Sequence, residues 1–90
     1  MSHLSRDKPK LIARLRRIKG QVEAVERAID SGAECGEVLR QLASIRGAMT
    51  GLTGEVLEDH LRAHVVAAPT AAERESGAED MIQILKSYLK

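Results

Sequence analysis

Residues 38–56 read VLRQLASIRGAMTGLTGEV, and the apolar pattern of this segment indicates a helical fold. Its apolar residues recur in alternating steps of four and three, a spacing that keeps side chains on one face of an α-helix. The stripe consists of Val38, Leu42, Ile45, Met49, Leu52 and Val56. Apolar residues up to Val65 widen it, so the pattern predicts one helix from about 35 to about 67.

Three glycines, Gly47, Gly51 and Gly54, lie inside this helix. An interior glycine costs a helix about 1 kcal/mol relative to alanine. A helix with three of them needs a compensating reason, and the close approach of another helix is one. A break at the glycines is the alternative, but the uninterrupted heptad steps favour a continuous helix.

A second stripe precedes the first and has the same steps. It consists of Leu11, Leu15, Ile18, Val22, Val25 and Ile29. Pro9 suits the first turn of a helix, and the DSGAE segment at 30–34 supplies Gly32 as a C-cap. The pattern predicts a first helix at about 7–30.

Residues 67–80 are predicted to be a linker, because Pro69 stops the second helix and Gly77 with its acidic neighbours prepares a new start. A third helix follows at about 79–89. The 90 residues contain one aromatic side chain, that of Tyr88, so the core must be aliphatic. These features predict a single all-α domain, residues 1–90, with three helices.

Charge is strongly segregated along the chain. Residues 6–19 hold seven basic and one acidic side chain, a net charge of +6, whereas residues 31–90 carry a net charge of −3. Such segregation favours a polyanion-binding surface near the N-terminus, although a solvated helix face gives the same pattern. The single cysteine excludes an internal disulfide, and the sequence has neither a signal-peptide pattern nor a membrane-length apolar run. We therefore expect a cytoplasmic protein.

His60 and His64 lie one helical turn apart and project from the same face. Two imidazoles at this spacing can bind one metal ion, or they can be two solvated side chains. Cys35, the only cysteine, would add a thiolate ligand. It precedes His60 by 25 residues, which is about 37 Å along a straight helix. One straight helix therefore cannot bring the three residues together.

Two antiparallel copies of this helix would solve the problem. Cys35 of one copy faces residue 62 of the other when the two-fold axis lies near residue 48 or 49, among the glycines. A C2 dimer then carries two equivalent sites. At the N-terminus, His3 and the amine of Ser2, exposed if Met1 is removed, could chelate together. An idle histidine on a disordered tail is the alternative.

The segments RIKGQVEAVERAI (17–29) and ECGEVLRQLASIRGAMTGLTGEVLEDHLRAHV (34–65), with the spacing of Cys35, His60 and His64, resemble the CsoR/RcnR/FrmR family of bacterial repressors. The resemblance implies antiparallel dimers in which helices 1 and 2 form a four-helix bundle, and dimers that pair into tetramers. It also implies that the apo-protein binds operator DNA and that an inducer at the Cys/His site releases it.

The ligand positions distinguish the types within this family. Copper sensors have a second thiolate where this chain has His64, and formaldehyde sensors have a proline in place of Ser2 and usually a glutamate in place of His64. The nickel/cobalt-sensing type has His3, Cys35, His60, His64 and the N-terminal amine, all of which match here. The resemblance therefore implies a Ni(II) or Co(II) response. Zn(II), Cu(I) and formaldehyde, the last through Cys35 and the N-terminal amine, remain alternatives.

DNA contact is predicted for the basic face of helix 1, where Lys10, Arg14 and Arg17 lie one turn apart and Lys19 lies further round. Arg46 either extends this surface or pairs with an acidic residue such as Glu55 of another chain. The region has no aromatic residue for base stacking, so backbone contacts and DNA shape should dominate recognition.

Two other functions each account for part of the sequence. Cys35 with His60 resembles a catalytic Cys–His pair, but the sequence shows no oxyanion-hole signal and no substrate loop, which argues against an enzyme. A purely structural helical oligomer would explain the apolar stripes but neither the +6 segment nor the metal-ligand residue types.

Overall fold

The computed structural model describes residues 7–89. Three α-helices follow one another: α1 (Lys8–Asp30), α2 (Cys35–Leu61) and α3 (Ala71–Tyr88). A π-helical segment, Arg62–Val66, follows directly on α2 and is called the π turn below. Residues 7–89 contain no strand, so the prediction of an all-α chain with three helices is confirmed.

The described residues divide into two compact units. The amino-terminal unit covers residues 7–54 and the carboxy-terminal unit covers residues 55–89. Within residues 7–89, no helix combines the length and apolarity that crossing a membrane requires. The assignment of residues 1–90 to a single domain stays a prediction.

The turn between α1 and α2 has the predicted glycine cap. Gly32 has a φ of 79°, in the left-handed region that side chains other than glycine rarely adopt. Its N–H donates to the carbonyl of Ile29, at 3.1 Å, and the N–H of Ala33 donates to the carbonyl of Ala28, at 2.9 Å. These bonds satisfy carbonyls that the end of α1 would leave without partners.

α2 is continuous through Gly47, Gly51 and Gly54, so the prediction of a helix without a break there is confirmed. Gly51 faces α1, because a Cβ at this position would lie 3.0 Å from Nη2 of Arg14, a tight contact that a small shift of the arginine side chain relieves. Gly47 and Gly54 have open space around them among the residues that the structure describes. Packing of these residues therefore does not explain why the two positions are glycine.

The apolar stripe of α1 is divided between a buried and an exposed half. Leu11, Ile18 and Val25, spaced by seven residues, are buried. The alternate positions Leu15, Val22 and Ile29 are 53%, 51% and 62% exposed. On α2, the large apolar side chains of Leu39, Leu42 and Met49 are also exposed. Contiguous exposed apolar side chains are typical of a surface that another chain covers.

The prediction of a linker over residues 67–80 is wrong for most of its length, because α3 begins at Ala71 rather than at 79. Thr70 is the N-cap, and its Oγ1 accepts a hydrogen bond from the N–H of Glu73 at 3.1 Å. Thr-Ala-Ala-Glu is the sequence pattern of a capping box. Gly77, which predicts a start near residue 79, is instead a buried residue inside α3.

The second helix also ends differently from the prediction of about 67. The α-helix stops at Leu61, and the N–H of Ala67 donates to the carbonyl of Arg62 at 2.9 Å. This is an i to i+5 bond, which defines a π-helix and widens the turn. The connection to α3 is therefore short, and Ala68 within it is buried.

We expect Thr70→Ala to lower the free energy of unfolding by about 1 kcal/mol, because the N–H of Glu73 loses its acceptor. Chemical denaturation of the two proteins at equal concentration measures the difference. Thr70→Ser is the matched control, because it keeps the hydroxyl and should retain most of the stability. Equal stability of the Ala variant and the wild type would contradict the assigned cap.

Candidate metal centre and nucleic-acid surface

His60 and His64 lie side by side at the junction of α2 and the π turn. Their ring centroids are 4.7 Å apart and their planes are inclined by 48°. His60 is half-buried and His64 is exposed. Imidazole nitrogens bind Zn(II) at about 2.0–2.1 Å, and two rings at this separation can direct one nitrogen each to a shared ion. The geometry therefore fits the donor pair expected from the sequence.

α3 supplies the surroundings of both histidines. His64 lines a cleft of about 300 Å³ together with Glu73, Gly77 and Asp80. His60 lines a second cleft, of about 430 Å³, in which Asp80 and Gln83 take part. Acidic side chains of α3 thus line the same clefts as the two imidazoles, and their negative charge favours a cation there.

Cys35 is the first residue of α2, in the amino-terminal unit, and its thiol is exposed. Glu37 lies in the same first turn. Gln41 donates a hydrogen bond to Glu37 at 3.2 Å, and Arg40 donates another at 3.1 Å. The bond from Gln41, followed by the bond and charge of Arg40, holds the pKa of the Glu37 carboxyl below its usual range. An accessible thiol therefore stands close in sequence to a carboxylate that is ionised at neutral pH.

Within residues 7–89, no group of three or more His, Cys, Asp and Glu side chains is placed to hold a metal ion. The described part of one chain thus presents a pair of imidazoles and, in the other unit, a separate thiol. His3 and the amine of Ser2, the two remaining predicted ligands, lie outside the described residues.

The basic surface predicted on α1 differs in exposure from residue to residue. Lys10, Arg17 and Lys19 are exposed, as is Arg46 on α2. Arg14 is half-buried, and its guanidinium lies where a side chain at position 51 would otherwise stand. Arg14 therefore packs against α2 within its own unit.

Sequence reasoning missed what Gly51 and Gly77 do for the predicted site residues. Gly51 makes room for Arg14. Gly77 makes room for the backbone of His64, because a Cβ at position 77 would overlap the His64 carbonyl group. The only signal in the sequence was a glycine inside an otherwise helix-favouring run, and that signal does not identify the partner.

Residues 7–87 match the family described as metal-sensitive transcriptional repressors. The chain is 46% identical over 90 residues, all of both proteins, to the transcriptional repressor RcnR of Citrobacter koseri. It is 54% identical over 91 residues, again all of both proteins, to an uncharacterised protein encoded in the bioA 5′ region of Serratia marcescens.

Among solved structures, the chain is similar to a variant of the formaldehyde-responsive regulator FrmR of Salmonella enterica serovar Typhimurium in which histidine replaces a glutamate. The TM-score is 0.87 at 41% identity, over 97% of this chain and 99% of the other. The named relatives are regulators rather than enzymes, in agreement with the prediction from sequence. With a match over residues 7–87 and full-length relatives, the chain belongs to the family of metal-sensitive transcriptional repressors.

Proposed function

We propose that this repressor binds operator DNA as the metal-free protein and releases it when Ni(II) or Co(II) binds. The observation that carries the proposal is the His60–His64 pair, with ring centroids 4.7 Å apart at the end of a helix that begins with an exposed cysteine. His3, Cys35, His60, His64 and the amine of Ser2 are the proposed ligands.

The donor set supports this choice of metal. One thiolate among several nitrogen donors suits Ni(II) or Co(II), whereas Cu(I) prefers more sulfur. Zn(II) can use Cys35, His60 and His64 in a tetrahedral site, so it is a second candidate inducer. The full-length similarity to RcnR agrees with the nickel/cobalt type that the ligand positions resemble.

Each site is proposed to form between two chains, with Cys35 of one chain beside His60 and His64 of another. The unbroken α2 supports this arrangement, since it removes the fold-back at the glycines that would bring Cys35 and His60 together in one chain. The exposed half of the α1 stripe and the open space at Gly47 and Gly54 suit a second chain packed antiparallel. The proposed assembly is a four-helix bundle of α1 and α2 from two chains, with two dimers forming a tetramer.

DNA binding is assigned to Lys10, Arg14, Arg17 and Lys19, with Arg46 as an extension of the same surface. Exposed cations on a regular helix bind phosphates and displace condensed counterions from DNA, which makes binding steeply dependent on salt. By linkage, a metal ion releases the operator only if it binds the DNA-incompetent state more tightly. Such a repressor would act in the cytoplasm, where its operator lies.

Formaldehyde is the alternative inducer, and the similarity to a formaldehyde-responsive regulator supports this alternative. In that reaction the thiol of Cys35 and the amine of Ser2 add to the one carbon of formaldehyde. A methylene bridge joins sulfur to nitrogen, and the carbonyl oxygen leaves as water with one proton from each group. The exposed thiol of Cys35 is accessible to this chemistry.

His3→Ala is expected to weaken Ni(II) and Co(II) binding by roughly tenfold, equivalent to about 1.4 kcal/mol. Zn(II) binding should change little, because a four-coordinate ion does not need a ligand from the N-terminal segment. Competition titrations with a chromophoric chelator, for each metal in turn, give the affinities. His64→Ala is the comparison variant and should weaken the binding of all three metals.

The same variants separate the two inducers. If His3→Ala leaves the Ni(II) and Co(II) responses unchanged and formaldehyde still releases the operator, the metal-sensor proposal fails. The formaldehyde mechanism then replaces it.

Arg17→Ala and Arg14→Ala should each weaken binding to duplex DNA while metal affinity stays the same. Each lost phosphate contact lowers the slope of log K against log salt by about one unit. Fluorescence anisotropy at several salt concentrations measures that slope. Arg27→Ala is the control, since Arg27 is an exposed arginine on α1 outside the basic segment. Unchanged slopes in both test variants, or an equal change in the control, would place the DNA surface elsewhere.

A further inference from the structure

α3 packs against the π turn at the residue that bears a proposed ligand. Gly77 is buried in α3. A Cβ on Gly77 would lie 2.8 Å from the carbonyl carbon of His64 and 3.2 Å from its Cβ, with the carbonyl oxygen closer still. Distances below 3.0 Å to backbone atoms require the backbone to move, so only glycine allows α3 to approach the π turn this closely.

The π turn in turn affects how the two imidazoles face each other. In an α-helix of 3.6 residues per turn, a step of four residues overshoots a full turn by roughly 40°. A π-helix holds more residues per turn, so a four-residue step that passes through it is closer to a full turn. The π turn starts at Arg62, between the two histidines, and therefore brings His64 more directly above His60. π-helical insertions are frequent at functional sites.

Two contacts hold the start of α3 in place beside the π turn. The Thr70 hydroxyl caps the helix through the N–H of Glu73. Arg74 donates a hydrogen bond from Nη1 to the carbonyl of Ala68, at 3.2 Å, and Ala68 is buried. The short connection therefore fixes α3 at its first turns, and Gly77 lies within two further turns of this anchor.

From this packing we infer that Gly77 is a positioning residue for His64. Close contact between α3 and the His64 backbone stabilises the π turn, and the π turn aligns His64 with His60. The inference rests on the proposed function in taking His64 as a ligand, and it deepens that proposal by making α3 part of the control of the metal site. A displacement of α3 would then change metal affinity without altering any ligand.

Gly77→Ala tests this inference in a double-mutant cycle with His64→Ala, using Co(II) titration of the full chain followed by absorbance. If Gly77 acts through His64, Gly77→Ala weakens Co(II) binding by roughly tenfold to 100-fold in the wild-type background. It then has little effect in the His64→Ala background. A general loss of stability would weaken binding equally in both backgrounds. Gly20→Ala is the control, because Gly20 is a helical glycine with open space around it, and it should leave affinity unchanged.

A second readout uses the metal-free protein. The side-chain NMR resonances of His64, at one fixed pH, should shift in Gly77→Ala and stay in place in Gly20→Ala. If Gly77→Ala does not fold, Arg74→Ala replaces it, because this change loosens the anchor of α3 without adding atoms. Arg74→Ala should shift the same resonances and weaken Co(II) binding in the same background-dependent way.

The outcomes separate this inference from the proposed function. If His64→Ala binds Co(II) as tightly as the wild type, His64 is not a ligand and the proposed function fails, while the NMR shifts still decide whether Gly77 positions His64. If His64→Ala weakens binding but Gly77→Ala acts equally in both backgrounds and the His64 resonances do not move, the positioning role is overturned.

Discussion

α1 carries more apolar surface than the other described residues of its chain cover, and the proposed assembly depends on this constraint. Leu11, Ile18 and Val25 are buried, while the alternate positions of the same stripe are more than half exposed. Burying apolar surface stabilises a fold by roughly 25 cal/mol per Å². An exposed stripe lacks this stabilisation, and a chain of 90 residues has only a small core to compensate for the loss. A second chain placed on the stripe recovers this stabilisation. The proposed dimer is thus favoured by the folding energetics as well as by the ligand arrangement.

The continuity of α2 gives the proposed dimer a consequence for function. Cys35 begins the helix and His60 lies in its last turn, so an antiparallel partner exchanges the two ends. Gly47 and Gly54 cost helix stability, and among residues 7–89 no atom lies within 4 Å of a Cβ built at either position. Gly51 differs, because it accommodates the Arg14 guanidinium. A proposed DNA contact is therefore packed against the helix that carries Cys35, within one compact unit.

In the carboxy-terminal unit, a proposed ligand is packed against residues that are not themselves proposed to touch the metal. His64 lies in a π turn whose carbonyl is in close contact with a buried glycine of α3. The start of α3 is fixed in turn by the Thr70 cap and the Arg74–Ala68 hydrogen bond. Residues that orient metal ligands commonly tune affinity as strongly as modest changes in the ligands themselves. For the proposed ligand His64, we infer that backbone packing against Gly77 supplies that support.

Four features were predictable from the sequence: the three helices, the glycine cap at Gly32, the continuity of α2 and the pairing of His60 with His64. These features depend on the apolar periodicity and on the residue spacing within one helix, and both can be read from residues close together in the sequence. The start of α3 lies at the Thr70–Glu73 capping pattern, whereas Gly77 and its acidic neighbours predict a later start, near residue 79. Only the tertiary structure decided that Gly77 is a contact point, that the helix widens into a π turn at Arg62, and that half of the α1 stripe is left exposed. Each of these features depends on a contact, or a missing contact, with residues that are distant in the sequence. The periodicity of one segment does not identify those residues.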